Sequence, residues 1–549
     1  MTNYKFMFKY LRKVRVSLVF TILGIICSSL LTMPVPYLNG RVVDILIEKG
    51  SKANFYQLVF IIFFVHAVKY VVFTLSRIVL LRINVNVIND IKVDMIQRAL
   101  RFPMEFYLKK DAGYIVARIN ECNNLSSLFS TSIISSFSAI IDFVFSILIA
   151  LYIDYRITLI MLIFLPLIAY ISHQTAQSLK KHSTVLLEHS ANVNNLLFET
   201  INSIEAIKLN NYQNKQVDIV SGGLTAFVSS FLKKNKSIVY FAENLSAIAR
   251  LNSVVLLLIA GVFIFMGELT VGTYVALSQY MLKIVGNVTF FSSIAVQLKP
   301  VEVSVERIRE FFSYPIEADS GHTQLDVPIK QVKIVDVSYN YNGTKQVLQN
   351  LSLQLNAGKH YRLSGKNGSG KSTLLKIISG LYSADAGELF YNSISHRDIG
   401  KISLRNRIGF VTHQCHLFKG TILDNVFLET AYNQSRLESV LRKYGIETYV
   451  NDFKEGLQTE VKHGGTNLSA GQRQFVSFLR AVLSDKDILF FDEPLSNVDA
   501  KTQKKMIEVI GDINDKIVVV ISHSSAFDKY IQIDIDEVME VSSQLEDFQ

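Results

Sequence analysis

The residues of this 549-residue chain that could do chemistry concentrate in its last third. Gly365, Lys366, Asn367, Gly368, Ser369, Gly370, Lys371, Ser372 and Thr373 fit the pattern G-x-x-x-x-G-K-[ST]. Glycines let the main chain wrap closely around phosphate oxygens, and the loop and the helix behind it supply N–H donors. Lys371 adds a positive charge at the β- and γ-phosphates, and the Ser372 hydroxyl is placed to ligate Mg²⁺. Downstream, Ile488-Leu489-Phe490-Phe491-Asp492-Glu493 is an apolar run ending in two acids. As a buried strand it would deliver Asp492 toward Mg²⁺ and Glu493 toward an attacking water. Alone, the run could be a strand ending in a solvated acidic turn; the glycine loop upstream favours the catalytic reading.

These residues need a scaffold, and the surrounding pattern predicts one. From about residue 331, short Val/Ile-rich strands alternate with helices, as in a soluble α/β domain. His360, Tyr361, Arg362 and Leu363 read as the strand before the loop, and Leu374 to Ile378 as the helix after it.

The first half has another character. The whole chain is 49% hydrophobic and only 19% charged, with mean hydropathy +0.28, against roughly 25% charge in an average soluble protein. The shortfall lies in residues 1–300. Apolar runs cover about 16–36, 55–80, 132–153, 157–176, 247–266 and 273–296, each near the roughly 20 residues needed to cross a bilayer. Asp154-Tyr155-Arg156 makes the third and fourth a hairpin, and Gly267 to Gly272 turns the fifth into the sixth. Residues 1–15, with Lys5, Lys9, Arg12, Lys13 and Arg15, read as an amphipathic helix on the membrane surface. No cleavable signal peptide is evident. The long stretches 81–131 and 177–246 carry Lys and Arg (Arg98, Arg101, Lys180, Lys233) with helical apolar spacing, so helices should continue past the membrane. The positive-inside bias places both termini and the α/β domain in the cytosol. Residues 301–330 read as a charged connector and 331–549 as the second domain.

The same inner-face loops account for the net charge of +9, and no nucleic-acid motif accompanies it. Cys27, Cys122 and Cys415 show no metal or disulfide spacing and are expected as small buried hydrophobes.

Asn467-Leu468-Ser469-Ala470-Gly471-Gln472-Arg473-Gln474 resembles the signature of ATP-binding cassette (ABC) proteins, usually Leu-Ser-Gly-Gly-Gln, and stands in the family order between loop and acids. The chain as a whole resembles an ABC half-transporter of the exporter type. Phe102-Pro103-Met104-Glu105-Phe106-Tyr107 and Gly267 to Gly272 resemble membrane-domain landmarks of that family. The resemblance implies a membrane α-helical bundle of six transmembrane helices followed by an α/β P-loop NTPase domain of ABC type, using ATP and Mg²⁺. It implies that Tyr341 stacks on adenine, that Gln414 touches Mg²⁺ and the membrane-domain interface, and that Ser496 to Asp499 form a dimer-contact loop. It implies that His523 contacts the γ-phosphate, and that Ser469, Gly471 and Gln472 meet the ATP of a second subunit. Three departures stand out: Ala470 replaces a glycine, Lys462 and His463 replace a Gly-Glu pair, and the tail after His523 is short and acidic.

One cassette and six spans imply pairing, most simply as a homodimer, otherwise with a related half-transporter. The resemblance also implies an integral, multi-pass protein of a bilayer; the Trp-free, Lys/Ile/Asn-rich composition suggests a bacterial cell membrane. Ionisable residues inside spans are costly and often functional. Lys69, Asp142 and Lys283 are read as facing a substrate path, with helix-bridging Lys–Asp pairs as the alternative. His66, Asn252 and Asn287 add polarity. The chain starts almost at the first span, which points away from a leader-cleaving peptide exporter. A peptide (bacteriocin-like), drug or lipid cargo fits equally. An importer on the same fold, or an ATP-gated channel or regulator that does not pump, is the alternative.

Overall fold

The computed structural model describes residues 3–539 except 111, 130, 318–320, 322, 342–344 and 429–433. The end of the acidic tail (540–549) lies outside the described residues, as do the side chains of Lys5 and Lys180. The chain divides into two compact units, residues 1–100 with 111–314 and residues 101–110 with 315–549.

The helices up to the second unit are α1 (Asn3–Leu31), α2 (Val35–Ile47), α3 (Lys52–Ala99), α4 (Met104–Lys109), α5 (Ala112–Asn120), α6 (Thr131–Ile153), α7 (Tyr155–Leu162), α8 (Phe164–Asn202), α9 (Ile204–Leu209), α10 (Gln213–Phe265) and α11 (Val271–Ser313). All but α4 belong to the first unit. Among the described residues three stretches, Lys9–Ile47, Lys52–Ala99 and Gln213–Phe265, are long and apolar enough to cross a membrane, and Ser138–Ile153 and Tyr155–Ile171 are shorter apolar helices. As the spacing predicts, the polar stretches are helical: α3 runs on to Ala99, and α8 and α10 cover most of 177–246.

Two details differ from the sequence reading. No break separates residues 3–15 from the first apolar run, because α1 is one helix whose basic start is held against α3. Lys9 Nζ meets Asp94 and Lys13 Nζ meets Asp90, both at 2.7 Å, and the Tyr10 hydroxyl joins Asp94 at 2.9 Å. The first apolar run is in turn not one straight helix. α1 ends at Leu31 and α2 begins at Val35, since Pro34 and Pro36 have no N–H to continue the ladder. The carbonyls released there are taken up: Lys283 Nζ donates to Thr32 O at 3.1 Å, and the Tyr280 hydroxyl to Met33 O at 2.7 Å.

The expected hairpin at 154–156 is capped by Asp154, whose carboxylate accepts from the N–H groups of Arg156 and Ile157 at 2.9 and 3.1 Å. Glu121 ties the short helix Glu121–Phe129 to α11, accepting from Ser304 Oγ at 2.5 Å and Arg307 Nη1 at 2.6 Å. Cys122 is buried, which pushes its thiol up to about 11. Cys27, expected to be buried, is exposed, on a helix whose neighbours Leu23 and Leu30 are exposed too.

The second unit is α/β. Its strands are β1 (Gln331–Tyr341), β2 (Lys345–Asn356), β3 (His360–Ser364), β4 (Ala386–Tyr391), β5 (Ile394–Ser395), β6 (Ile408–Val411), β7 (Gly420–Thr421), β8 (Glu460–Val461), β9 (Ile488–Asp492), β10 (Ile517–Ile521) and β11 (Ile531–Asp534). Its helices after α4 are α12 (Lys371–Ile378), α13 (Lys401–Arg405), α14 (Ile422–Val426), α15 (Gln434–Tyr444), α16 (Glu447–Asn451), α17 (Ala470–Leu483) and α18 (Ala500–Gly511). A parallel sheet runs β11-β3-β10-β9-β6, and an antiparallel sheet runs β2-β1-β4-β5. β9 and β10 are buried along their whole length, which is why both read as near-continuous apolar runs instead of alternating ones. The register sets Ile521 beside Asp492 and beside Leu363, so β3, β10 and β9 end at one edge.

The segment after α11 is built into this unit. Glu317 accepts from Arg405 and Lys401 on α13, Leu325 N donates to Ser403 Oγ at 2.9 Å, and Ile329 N to Asp487 Oδ2 at 2.9 Å. α4 belongs here as well: Met104 packs on the core, and Glu105 Oε1 accepts from Ser383 N at 3.3 Å.

In the helical unit α2 and α11 meet main chain to main chain, where a Cβ on Gly272 would overlap Gly40 O. Asp44 seals the contact, accepting from Gly272 N at 2.8 Å and Thr270 Oγ1 at 2.9 Å. Gly272→Ala should force the helices apart and cost about 1–3 kcal/mol, seen as a lower thermal midpoint of the purified protein; an unchanged midpoint would refute the contact.

Candidate nucleotide site

The loop after β3 turns on glycines that other residues could not replace. Gly365, Gly368 and Gly370 have φ of +135°, +86° and +93°, a region L-residues rarely adopt. A Cβ on Gly370 would also sit 2.6 Å from Leu348 Cδ2 and 3.1 Å from Val347 O. Lys371 Nζ donates to Gly365 O and Lys366 O, each at 2.8 Å, which centres the ammonium in the turn. From outside, Asp536 Oδ2 accepts from Lys366 N at 2.8 Å. Lys371 opens α12, so Ser372 and Thr373 lie at a helix N-terminus.

These residues border a cleft of about 470 Å³. Asn367, Gly368, Gly370, Lys371, Ser372 and Thr373 line it on the loop side. Asp492, Glu493 and His523 line it from the ends of β9 and β10, and Tyr341 closes another flank. The Tyr341 hydroxyl lies 3.0 Å from Thr373 Oγ1, and its ring stands edge-on to Tyr382. Gly365, Lys366 and Ser369 complete the turn without lining the cleft.

Glu493 is held in an unusual backbone state, φ +51°, of the kind that costs about 1–3 kcal/mol and persists only where its surroundings enforce it. The enforcement is visible. Glu493 N donates to Ile521 O at 2.9 Å, while Glu493 O accepts from Gln474 Nε2 at 3.1 Å and Ser496 Oγ at 2.9 Å. Gln474 is buried. The Glu493 carboxylate lies 3.8 Å from His523 Nε2. Ser372 and Asp492 offer hard oxygen donors in the same cleft, which fits Mg²⁺, an ion usually held by one or two protein oxygens plus phosphate oxygens.

Other expected residues lie elsewhere. Gln414 does not line the cleft; its neighbour His413 does, with Nδ1 3.4 Å from Ser496 Oγ. Gln414 is exposed and its carbonyl accepts from Thr412 Oγ1. Only a one-residue offset of the family pattern could have signalled this. Ser469, Gly471 and Gln472 are not cleft residues either. Ser469 caps α17, accepting from Gln472 N at 3.1 Å while Gln472 Oε1 accepts from Ser469 N at 3.0 Å, a reciprocal cap. A Cβ on Gly471 would come within 2.5 Å of Asn497 O, so the glycine lets α17 approach the 496–499 loop. Asp499 caps α18 through the N–H groups of Lys501 and Thr502. Lys462 and His463 are exposed on a turn that Asn467 closes through Lys462 N and Glu460 O.

In the helical unit Asp142 accepts from Ser29 Oγ at 2.6 Å, and Lys283 is engaged at the α1–α2 break. Lys69 lies on α3.

Comparison with known proteins shows which family the chain is similar to. Residues 348–496 match the family model described as ABC transporter, and residues 18–288 the one described as ABC transporter transmembrane region. The lactococcin-G-processing and transport ATP-binding protein LagD of Lactococcus lactis subsp. lactis is 28% identical over 94% of this chain and 74% of its own length. An ATP-dependent lipid A-core flippase of Desulfotalea psychrophila is 25% identical over 84% of this chain and 81% of its own. Among solved structures, a bacterial Atm1-family ABC exporter with ATP bound superposes with a TM-score of 0.81 at 17% identity, covering 96% of this chain and 94% of that one. The chain therefore belongs to the ABC transporter family, with the transmembrane region and the nucleotide-binding domain fused in one polypeptide. It is a membrane ATPase that couples nucleotide hydrolysis to transport.

If His413 is the cleft residue, His413→Ala should change kcat/KM for ATP by about tenfold or more, and Gln414→Ala by less than about twofold. Steady-state ATPase assays on the two variants decide, and the reverse ranking would restore Gln414.

Proposed function

We propose that this chain is one half of a homodimeric exporter in a bacterial cell membrane, with six spans and both termini and the ATPase domain cytosolic. The carrying observation is the convergence of Lys371, Asp492, Glu493 and His523 on one cleft while Ser469 and Gly471 stand outside it. A signature remote from its own cleft suits a second cassette laid against the first, each ATP held between Lys371 of one copy and Ser469 of the other. A related half-transporter could take the second place.

In hydrolysis Lys371 and the loop N–H groups hold the β- and γ-phosphates, and Tyr341 stacks on the base. Ser372 and Asp492 would hold Mg²⁺, which when bound would supply charge neutralisation at the phosphate oxygens. Glu493 orients a water and accepts its proton as the oxygen bonds to phosphorus, while the bond to the ADP oxygen breaks. His523 donates to the transferred phosphoryl oxygens. Catalysis of this kind is mostly positioning and charge stabilisation.

The lactococcin-G and lipid A-core relatives support a peptide or lipid as the cargo. Lys69, Asp142 and Lys283 are the candidates for its path; one of the three donors of the Lys283 ammonium serves the helix break.

Glu493→Gln should abolish steady-state hydrolysis in nanodiscs, by about a hundredfold or more, while leaving ATP binding intact; normal hydrolysis would overturn the assignment. Lys69→Ala and Asp142→Ala should blunt stimulation of the ATPase by a hydrophobic peptide or lipid panel without changing the basal rate. Unaltered stimulation in both would remove these residues from the path. ATP-dependent uptake into inside-out vesicles would support export, and loss of cargo from them import.

A further inference from the structure

His523 stands on an irregular loop between the end of β10 at Ile521 and the short turn Ser525–Phe527. Its side chain is 74% exposed, so the position of the ring depends on the backbone beneath it. One side chain from the neighbouring strand braces the loop at both ends, through a carbonyl at one and a carboxylate at the other. Arg362, in the middle of β3, lies opposite Val520 in the parallel register. Its Nε donates to Ser522 O at 3.0 Å, the carbonyl immediately before His523. Its Nη1 pairs with the carboxylate of Asp528 at the far end of the loop.

The arrangement is unusual for its surroundings. Tyr361 and Leu363, on either side, are buried in the core, and the Arg362 side chain is itself only 14% exposed. A cation so placed is costly unless its donors are used. A guanidinium suits the task because its planar fork fixes two acceptors at a set spacing, which an ammonium cannot do. Within the loop, Ser524 N donates to Ser522 Oγ at 3.2 Å and Ala526 N to Ser524 Oγ at 3.3 Å. The loop is therefore stiff between its two braced ends, and Arg362 sets where the stiff piece sits.

We propose that Arg362 is a positioning residue for hydrolysis, acting on the γ-phosphate only through His523 by holding the 522–528 loop at both ends. The inference rests on the reading of His523 given above. It predicts a kinetic signature that a strut serving stability alone would not give. In the full-length protein in nanodiscs, Arg362→Ala should lower kcat about tenfold with KM for ATP within about twofold. In a His523→Ala background, followed by single-turnover hydrolysis, removing Arg362 should change the residual rate less than about twofold, because residues acting as one unit are not additive. Arg362→Lys, which keeps the charge but reaches one acceptor, should fall between wild type and Arg362→Ala. Asp528→Asn tests the outer end at an exposed position with little risk to folding, and should lower kcat by the same non-additive route. Wild-type kcat in Arg362→Ala or Asp528→Asn, or an equal loss with and without His523, overturns the proposal. A wild-type rate in His523→Ala alone would overturn the reading of the site itself, and with it this inference.

Discussion

Two rows of main-chain hydrogen bonds, β3 to β10 and β10 to β9, decide where everything else in the nucleotide unit ends up. Leu363 pairs with Ile521, and Ile521 with Asp492. Parallel strands have no freedom to slip here, because a one-residue shift would turn every buried side chain to the opposite face. With the register fixed, the phosphate loop, the two acids and the histidine leave their strands at the same edge. The carboxyl ends of strands are where ligands bind in open α/β sheets. The helices and the antiparallel sheet supply the rest: Tyr341 from one side, and Gln474 from α17 to hold Glu493.

Much of this was legible in the sequence because the relevant signals are local. The glycine loop is contiguous, and its need for positive φ is written in the residue type. The apolar runs of β9 and β10 announce strands buried on both faces. The turns at 154–156 and 267–272 were readable from residues that break or cap helices. Other features come from contacts between distant residues, which no window of sequence displays. The pairing of Lys9 and Lys13 with Asp94 and Asp90 holds the basic start of α1 against α3. The choice of His413 over Gln414 depends on which way a turn faces after β6. The roles of Ser469 and Gln472 as a cap and of Arg362 as a brace belong to the same class.

The helical unit shows how a polar residue in an apolar segment can be read two ways. Lys283 looks like a cargo ligand in sequence, yet its ammonium answers a local need, the unpaired carbonyl where two prolines interrupt α1 and α2. Asp142 has one hydroxyl donor in Ser29 and keeps further acceptor capacity. Where lipid replaces water, an unpaired carbonyl is costly, so structural demand has first claim on such side chains and only the remaining donors and acceptors can serve transport.

Helix α17 begins at the cap residue Ser469, and Gln474, about a turn and a half further on, holds the carbonyl of Glu493. A force applied at Ser469 thus reaches the main chain of Glu493 through a short piece of helix and a single hydrogen bond. Geared in this way, the capped end of α17 and the main chain of Glu493 share one mechanical lever, with the strained backbone of Glu493 as the load it must keep in place.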